Sequence, residues 1–166
     1  MAFIVNITGS VLSRIRDVVG LRPEIYIVYP ALIDTMGDVG AVVGSTATTK
    51  LALGTLDPSF KAMRNHTYQI VGAWTASVVM YMAYALIGSL SQVGASSSAT
   101  LRFIGLLLAT NVFAAMFIIC ISFSVAILTF RRGLDPDNFV IPVESSLADT
   151  LTTVSLLIML GLIGGL

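Results

Sequence analysis

The sequence contains few charged residues, one cysteine and one histidine. Only 11% of its 166 residues are charged, whereas soluble domains usually carry about 25%. The nine basic residues balance the nine acidic ones and form no basic run, so nucleic-acid binding has no support. The single Cys120 excludes an internal disulfide and a multi-cysteine zinc site.

Apolar residues, in contrast, are abundant. They make up 56% of the chain, and the mean hydropathy is +0.93. A membrane-spanning helix needs about 20 mostly apolar residues, so several spans fit and little remains for a soluble domain. The start of the chain has no basic region before its apolar part and no clear cleavage signal, so it does not read as a signal peptide. We therefore predict an all-α integral membrane protein with one domain, residues 1–166, lying in the lipid bilayer of the plasma membrane.

Five apolar segments predict a bundle of about five transmembrane helices. The first, Ala2–Leu12, is too short to span alone, and we expect it to be the second half of a longer helix. We also expect the chain to be a fragment or one repeat of a longer protein. The other four segments are long enough to cross: Pro23–Lys50, Thr67–Ser91, Leu101–Phe130 and Phe139–Leu166.

Basic residues in the loops indicate the orientation. The loops after the second and fourth segments carry Lys61, Arg64, Arg131 and Arg132. We therefore expect loops 55–66 and 131–138 to be cytoplasmic and the C-terminus to lie outside. His66 belongs to the first of these charged loops, and we expect it to be solvated.

Four carboxylates lie inside the apolar segments: Asp34, Asp38, Glu144 and Asp149. An Asp at the centre of a spanning helix costs about 2.5–3.5 kcal/mol on insertion scales. No Lys or Arg lies in the middle of a segment to neutralise them. Their insertion cost must therefore be offset by protonation, by contact with water or by a bound cation. Acids inside a membrane are functional by default, and we prefer that interpretation to one in which they only join helices.

The acids of the second segment begin a polar stripe. Asp34 and Asp38 are four residues apart and share one helix face. The same face continues through Ser45 and Thr49, with Thr46 at its margin. This pattern predicts a polar wall about four turns long on an otherwise apolar helix.

The fifth segment carries a shorter stripe that contains Ser145 and Asp149. Glu144 lies about 140° around a regular helix from Asp149. We expect Glu144 to point elsewhere unless Pro142 makes the backbone irregular, which makes it the weaker candidate. On the second segment, Gly40 and Gly44 form a small-xxx-small pattern that indicates close helix packing.

The donor atoms indicate a hard cation. No His or Cys lies near the acids, so zinc and copper are poorly matched. Magnesium keeps its waters and commonly binds through one or two carboxylates. Ca²⁺ and Mn²⁺ suit the same carboxylate, hydroxyl and carbonyl oxygens. We therefore predict a path for a hydrated divalent cation of this group, and no resident cofactor. The predicted cation ligands are Asp34, Asp38, Glu144, Ser145 and Asp149, and the predicted pore-lining residues are Gly40, Ser45, Thr46 and Thr49.

Two stretches resemble the MgtE family of magnesium transporters, which includes solute-carrier and archaeal two-repeat relatives. They are "PALIDTMGDVGAVVGSTATTKLALG", Pro30–Gly54, and "LDPDNFVIPVESSLADTL", Leu134–Leu151. The resemblance implies five transmembrane helices in each unit and two units around a central pore, as a homodimer or as a pseudo-dimer with a second repeat. It places Asp149 at the family's pore acid, and Asp38 where the family usually has Asn. It also implies Mg²⁺ as the transported ion, and we expect none of the family's soluble regulatory domains in this chain.

Three alternatives remain open. A proton-coupled cation exporter would use the same carboxylates, since they carry protons as readily as they bind cations. Gly37 and Asp38 faintly resemble an intramembrane aspartyl protease signature, although Thr35 departs from it and the partner motif is missing. A membrane subunit without transport is the third alternative. Transport is favoured over these, and we do not expect an enzyme.

Overall fold

The computed structural model describes residues 22–91 and 96–163. In these residues the fold is all-α, with four long helices: α1 Pro23–Ala52, α2 Thr67–Leu90, α3 Ser97–Arg131 and α4 Asp137–Ile163. A 3₁₀ turn, Phe60–His66, leads directly into α2. Helices α1, α3 and α4, and α2 together with this turn, are each long and apolar enough to cross a membrane. The predicted all-α membrane bundle is confirmed, and the predicted first segment, Ala2–Leu12, lies outside the described residues.

The helix ends follow from local chemistry. Helix α1 begins at Pro23, where the missing N–H does no harm. Helix α3 begins after Ser96, whose Oγ accepts the N–H of Ala99 at 3.3 Å. The largest difference from the predicted segments is at this end, because α3 begins at Ser97 rather than Leu101. Both helices that contain a proline, α1 and α4, continue through it.

Helices α1 and α3 form the centre of the bundle. Each of them packs against all three other helices, whereas α2 and α4 lie on opposite sides of this central pair. The residues between the helices are mainly aliphatic, and Leu32 and Met36 of α1 and Leu107 and Ile118 of α3 are fully buried. Burial of these side chains fixes which face of α1 points inward and leaves its polar stripe on the outside.

Helices α1 and α4 approach each other closely along two glycines. A Cβ added at Gly40 would lie 1.9 Å from Oε1 of Glu144, and one added at Gly44 would lie 2.3 Å from Cγ1 of Val140. Residue numbers rise along α1 as they fall along α4, so the two helices are antiparallel. The small-xxx-small pattern therefore packs two helices of the same chain, and these two glycines are not available to a second copy.

Polar side chains, most of them buried, join α2 to its neighbours. Trp74 Nε1 donates to Asn111 Oδ1 at 3.1 Å, and Asn111 Nδ2 donates to Ser77 Oγ at 2.9 Å. Tyr81, which is fully buried, donates its hydroxyl to the carbonyl of Leu32 at 2.9 Å. These bonds satisfy groups that lipid would leave without a partner.

The expectation that His66 is solvated is wrong. Its side chain is 0% exposed, and Nε2 lies 3.1 Å from both Thr46 Oγ1 and the carbonyl of Val43. Its ring lies 5.7 Å from that of Phe123, centroid to centroid. The 3₁₀ turn carries the last residue of the loop back against α1 and α3. A position in a charged loop therefore did not reveal that this side chain is part of the core.

Candidate functional site

A groove between α1 and α4 collects the acids. Its volume is about 570 Å³, and it opens on the surface of the bundle. Helix α1 contributes Asp34 and Asp38 to the lining, and α4 contributes Glu144, Ser145 and Asp149. The structure thus brings the five predicted cation ligands together, although they come from two helices that are distant in the sequence.

The position of each acid follows from helix spacing. Asp34 and Asp38 lie one turn apart on the outer face of α1, and both are exposed. On α4, Ser145 is exposed and Asp149 is partly buried. The two polar stripes therefore face the same open space from opposite sides of the groove.

Glu144 lies deeper than the other acids and is only 3% exposed. Helix α4 is continuous through Pro142, so Glu144 and Asp149 keep the angular separation of a regular helix. From the sequence, this separation predicts that Glu144 points away from the stripe unless Pro142 makes the backbone irregular. Instead the lining of the groove covers the full arc of α4 from Asp149 to Glu144, and Glu144 lies at its inner edge. Ser122 of α3 donates its hydroxyl to Oε1 of Glu144 at 2.9 Å.

The predicted pore-lining hydroxyls divide into two groups. Ser45 and Thr49 are exposed on the same face of α1 as the aspartates, and they donate to the carbonyls of Ala41 at 2.6 Å and Ser45 at 2.9 Å. Thr49 also lines a second groove of about 610 Å³ near the C-terminal end of α1. Thr46 instead contacts His66 and the carbonyl of Val42.

Gly40 also lies away from the groove surface. It is buried, with Glu144 and Ile118 packed against it. The structure thus places Ser45 and Thr49 on the acidic face and Thr46 and Gly40 off it, although the sequence predicts all four as pore-lining residues.

The lining of the groove is suited to a hydrated cation. Its polar side chains are carboxylates and one hydroxyl, and in the described part of the chain no basic residue lines it. Within residues 22–91 and 96–163, no group of three or more His, Cys, Asp or Glu side chains is close enough together to hold a metal ion. The acids therefore do not form a cage for a bare ion, and an ion that keeps its waters fits the arrangement better.

Two contacts at the groove were not anticipated from the sequence. Ser122 belongs to α3, which carries neither stripe, and in the structure it is 2% exposed. The signal that the sequence offered was a hydroxyl inside an apolar segment. Tyr29 and Thr153 bring their hydroxyl oxygens within 2.5 Å and join α1 to α4 one turn beyond Asp149. Sequence spacing does not reveal such partners, because each pair lies on two different helices.

Comparisons with known proteins identify the family. Neither the curated proteins nor the solved structures contain a match to this chain. A family model described as a divalent cation transporter, MgtE, matches residues 29–159, a range that contains every residue lining the groove. This is a family of transporters, which agrees with the expectation that the protein is not an enzyme. The chain is therefore an integral membrane protein of the MgtE family of divalent cation transporters.

Proposed function

We propose that the groove between α1 and α4 is one wall of a pathway that carries hydrated Mg²⁺ across the membrane. The observation that carries this proposal is the meeting of Asp34, Asp38 and Asp149 in one groove, which no basic side chain of residues 22–91 and 96–163 lines. Carboxylates within the membrane lower the free energy of a cation that passes them. Without a cation or water, their burial in the membrane would carry a large free-energy cost.

The dimensions of the groove support a hydrated ion. Six waters around an octahedral Mg²⁺ occupy about 180 Å³, at roughly 30 Å³ of liquid volume each. The groove, at about 570 Å³, has room for that ion together with further water. A pathway conducts only if the ion is held weakly enough to leave, and acids that contact it through water meet this condition.

A second unit is needed to close the pathway. Asp34 and Asp38 are exposed on the surface of this chain, and in a bilayer they would face lipid at about 2.5–3.5 kcal/mol each. We propose that a second copy, or a second repeat, covers the groove in a two-fold arrangement. Gly40 and Gly44 are buried against α4 and do not take part in this interface. We therefore assign the interface to the acidic faces of α1 and α4.

The orientation is part of the same proposal. Loops 55–66 and 131–138 carry Lys61, Arg64, Arg131 and Arg132, and we assign both loops to the cytoplasmic side, with the C-terminus outside. Single cysteines introduced at Lys61 and Arg131, in a Cys120→Ala background, test this with a membrane-impermeant thiol reagent applied to intact cells. Labelling of either cysteine from outside would contradict the orientation.

The transport experiment uses the purified full chain in liposomes. We expect uptake of Mg²⁺ above that of empty liposomes, measured beside Mn²⁺, Ca²⁺, Co²⁺ and Na⁺ at two pH values. If none of the four divalent ions enters, the proposal fails. Uptake that follows an imposed proton gradient would instead favour the proton-coupled exporter. A mass measurement in detergent that shows only a monomer, with uptake intact, would contradict the two-fold closure.

A further inference from the structure

The inner wall of the groove holds one carboxylate in surroundings unlike those of the other three acids. Glu144 is 3% exposed, and its Oε1 accepts a hydrogen bond from Ser122 at 2.9 Å. The same oxygen lies against Gly40, where a Cβ would be 1.9 Å away. Glycine at this position leaves space that any other residue would fill. We call Gly40, Ser122 and Glu144 together the carboxylate seat.

We propose that Gly40 and Ser122 are positioning residues that fix the Glu144 carboxylate, and that the fixed carboxylate sets the preference of the pathway for Mg²⁺ over Ca²⁺. This inference rests on the proposed function, since it assumes that the groove conducts divalent cations. It brings α3 into the pathway through Ser122, in addition to the two helices that carry the acid stripes.

The chemistry of the two ions gives the reason. Mg²⁺ requires near-ideal octahedral geometry and keeps most of its waters, whereas Ca²⁺ accepts six to eight oxygens in flexible arrangements. A carboxylate drawn back against α1 and α3 leaves room for the hydrated ion and does not swing forward to replace its waters. Once released, Glu144 would reach towards Asp38 and Asp149 in the same groove. Such a mobile set of oxygens favours Ca²⁺.

Ser122→Ala removes the hydrogen bond and little volume. We expect it to raise the ratio of Ca²⁺ to Mg²⁺ uptake roughly three- to tenfold, the range that the loss of one hydrogen bond corresponds to. Ser122→Thr keeps the hydroxyl and should return the ratio towards that of the unsubstituted protein. A role in stability alone would change the melting temperature and leave the ratio where it was.

The two buried glycines provide a matched pair of variants. Gly40→Ala forces the Glu144 carboxylate out of the seat, so it should raise the same uptake ratio without altering Ser122. Gly44→Ala makes an equivalent clash with Val140 one turn away, 2.3 Å from Cγ1. It should lower stability and leave the ratio unchanged. Adding Glu144→Asp, which is one methylene shorter, should relieve the clash with the carboxylate in Gly40→Ala, where Ile118 Cγ1 at 2.9 Å remains a close contact. It should not relieve the clash with Val140 in Gly44→Ala.

The deciding measurement is the Ca²⁺ to Mg²⁺ uptake ratio of the full chain in liposomes. An unchanged ratio in both Ser122→Ala and Gly40→Ala, in protein that conducts, overturns the inference and leaves the proposed function intact. Absence of all divalent uptake in the unsubstituted protein overturns the proposed function, and the selectivity role with it. In that case the carboxylate seat has a separate test. The infrared band that disappears in Glu144→Gln belongs to the Glu144 carboxylate. This band should shift in Ser122→Ala. A band that does not shift contradicts the seat.

Discussion

Replacing Asp149 with Asn tests the electrostatic role of the groove most directly. The substitution removes one negative charge, keeps the size of the side chain and leaves the helix intact. Asp149 lines the groove from α4 and is partly buried. It matches the family's pore acid in the resemblance, and among the described residues no basic side chain lines the groove to neutralise its charge.

The expected effect follows from Coulomb's law. A carboxylate separated from a divalent ion by one layer of water lies about 5 Å away, which gives about 2 kcal/mol in bulk water and about 7 kcal/mol at an effective dielectric constant of 20. The proposed pathway is filled with water, so the lower figure gives the smallest effect to expect. Since about 1.4 kcal/mol corresponds to a tenfold change, the Mg²⁺ concentration for half-maximal uptake should rise at least about tenfold.

A monovalent ion provides an internal comparison. Na⁺ loses half the interaction energy at the same distance, so its uptake should fall by only about fourfold on the same estimate. The assay is uptake of Mg²⁺ and Na⁺ into liposomes as a function of ion concentration. Asp57→Asn is the control, because Asp57 is an exposed loop acid outside the groove. Equal effects of both substitutions, or an unchanged Mg²⁺ dependence in Asp149→Asn, would refute the reasoning.

Three further predictions concern residues at the groove and in the core. Asp38→Asn should weaken Mg²⁺ uptake less than Asp149→Asn, because Asp38 is more exposed and its charge is better screened. The reverse order in the same uptake assay would contradict the proposed position of the pathway. His66→Ala should lower the free energy of unfolding by about 2–4 kcal/mol, since it empties a fully buried position and removes hydrogen bonds; a melting curve in detergent that matches the unsubstituted protein would contradict this. Asn111→Ala should cost about 0.6–1.7 kcal/mol by leaving Trp74 Nε1 without its acceptor, and the same curves measure it against the exposed-surface substitution Asp57→Asn.

The number and position of the described helices were predictable from the sequence. Long apolar stretches in lipid must form helices, because no other open structure satisfies the backbone there. Polar turns and Pro23 then marked where the helices begin and end. The sharing of one face by Asp34 and Asp38 was predictable as well, since a separation of four residues decides it within a single helix.

Contacts between helices were decided by the tertiary structure. His66 stands in a charged loop in the sequence and is fully buried in the fold, because the 3₁₀ turn folds back onto α1. Glu144 was expected to face away, and it lies in the groove because α1 offers Gly40 beside it and α3 offers Ser122.

The glycines show the same division between local pattern and packing. Their spacing indicated a close helix contact, and the fold assigned that contact to α4 of the same chain. Sequence spacing determines which side chains share a face of one helix. Which faces then meet depends on how all the described helices fill space together, and no local pattern contains that information.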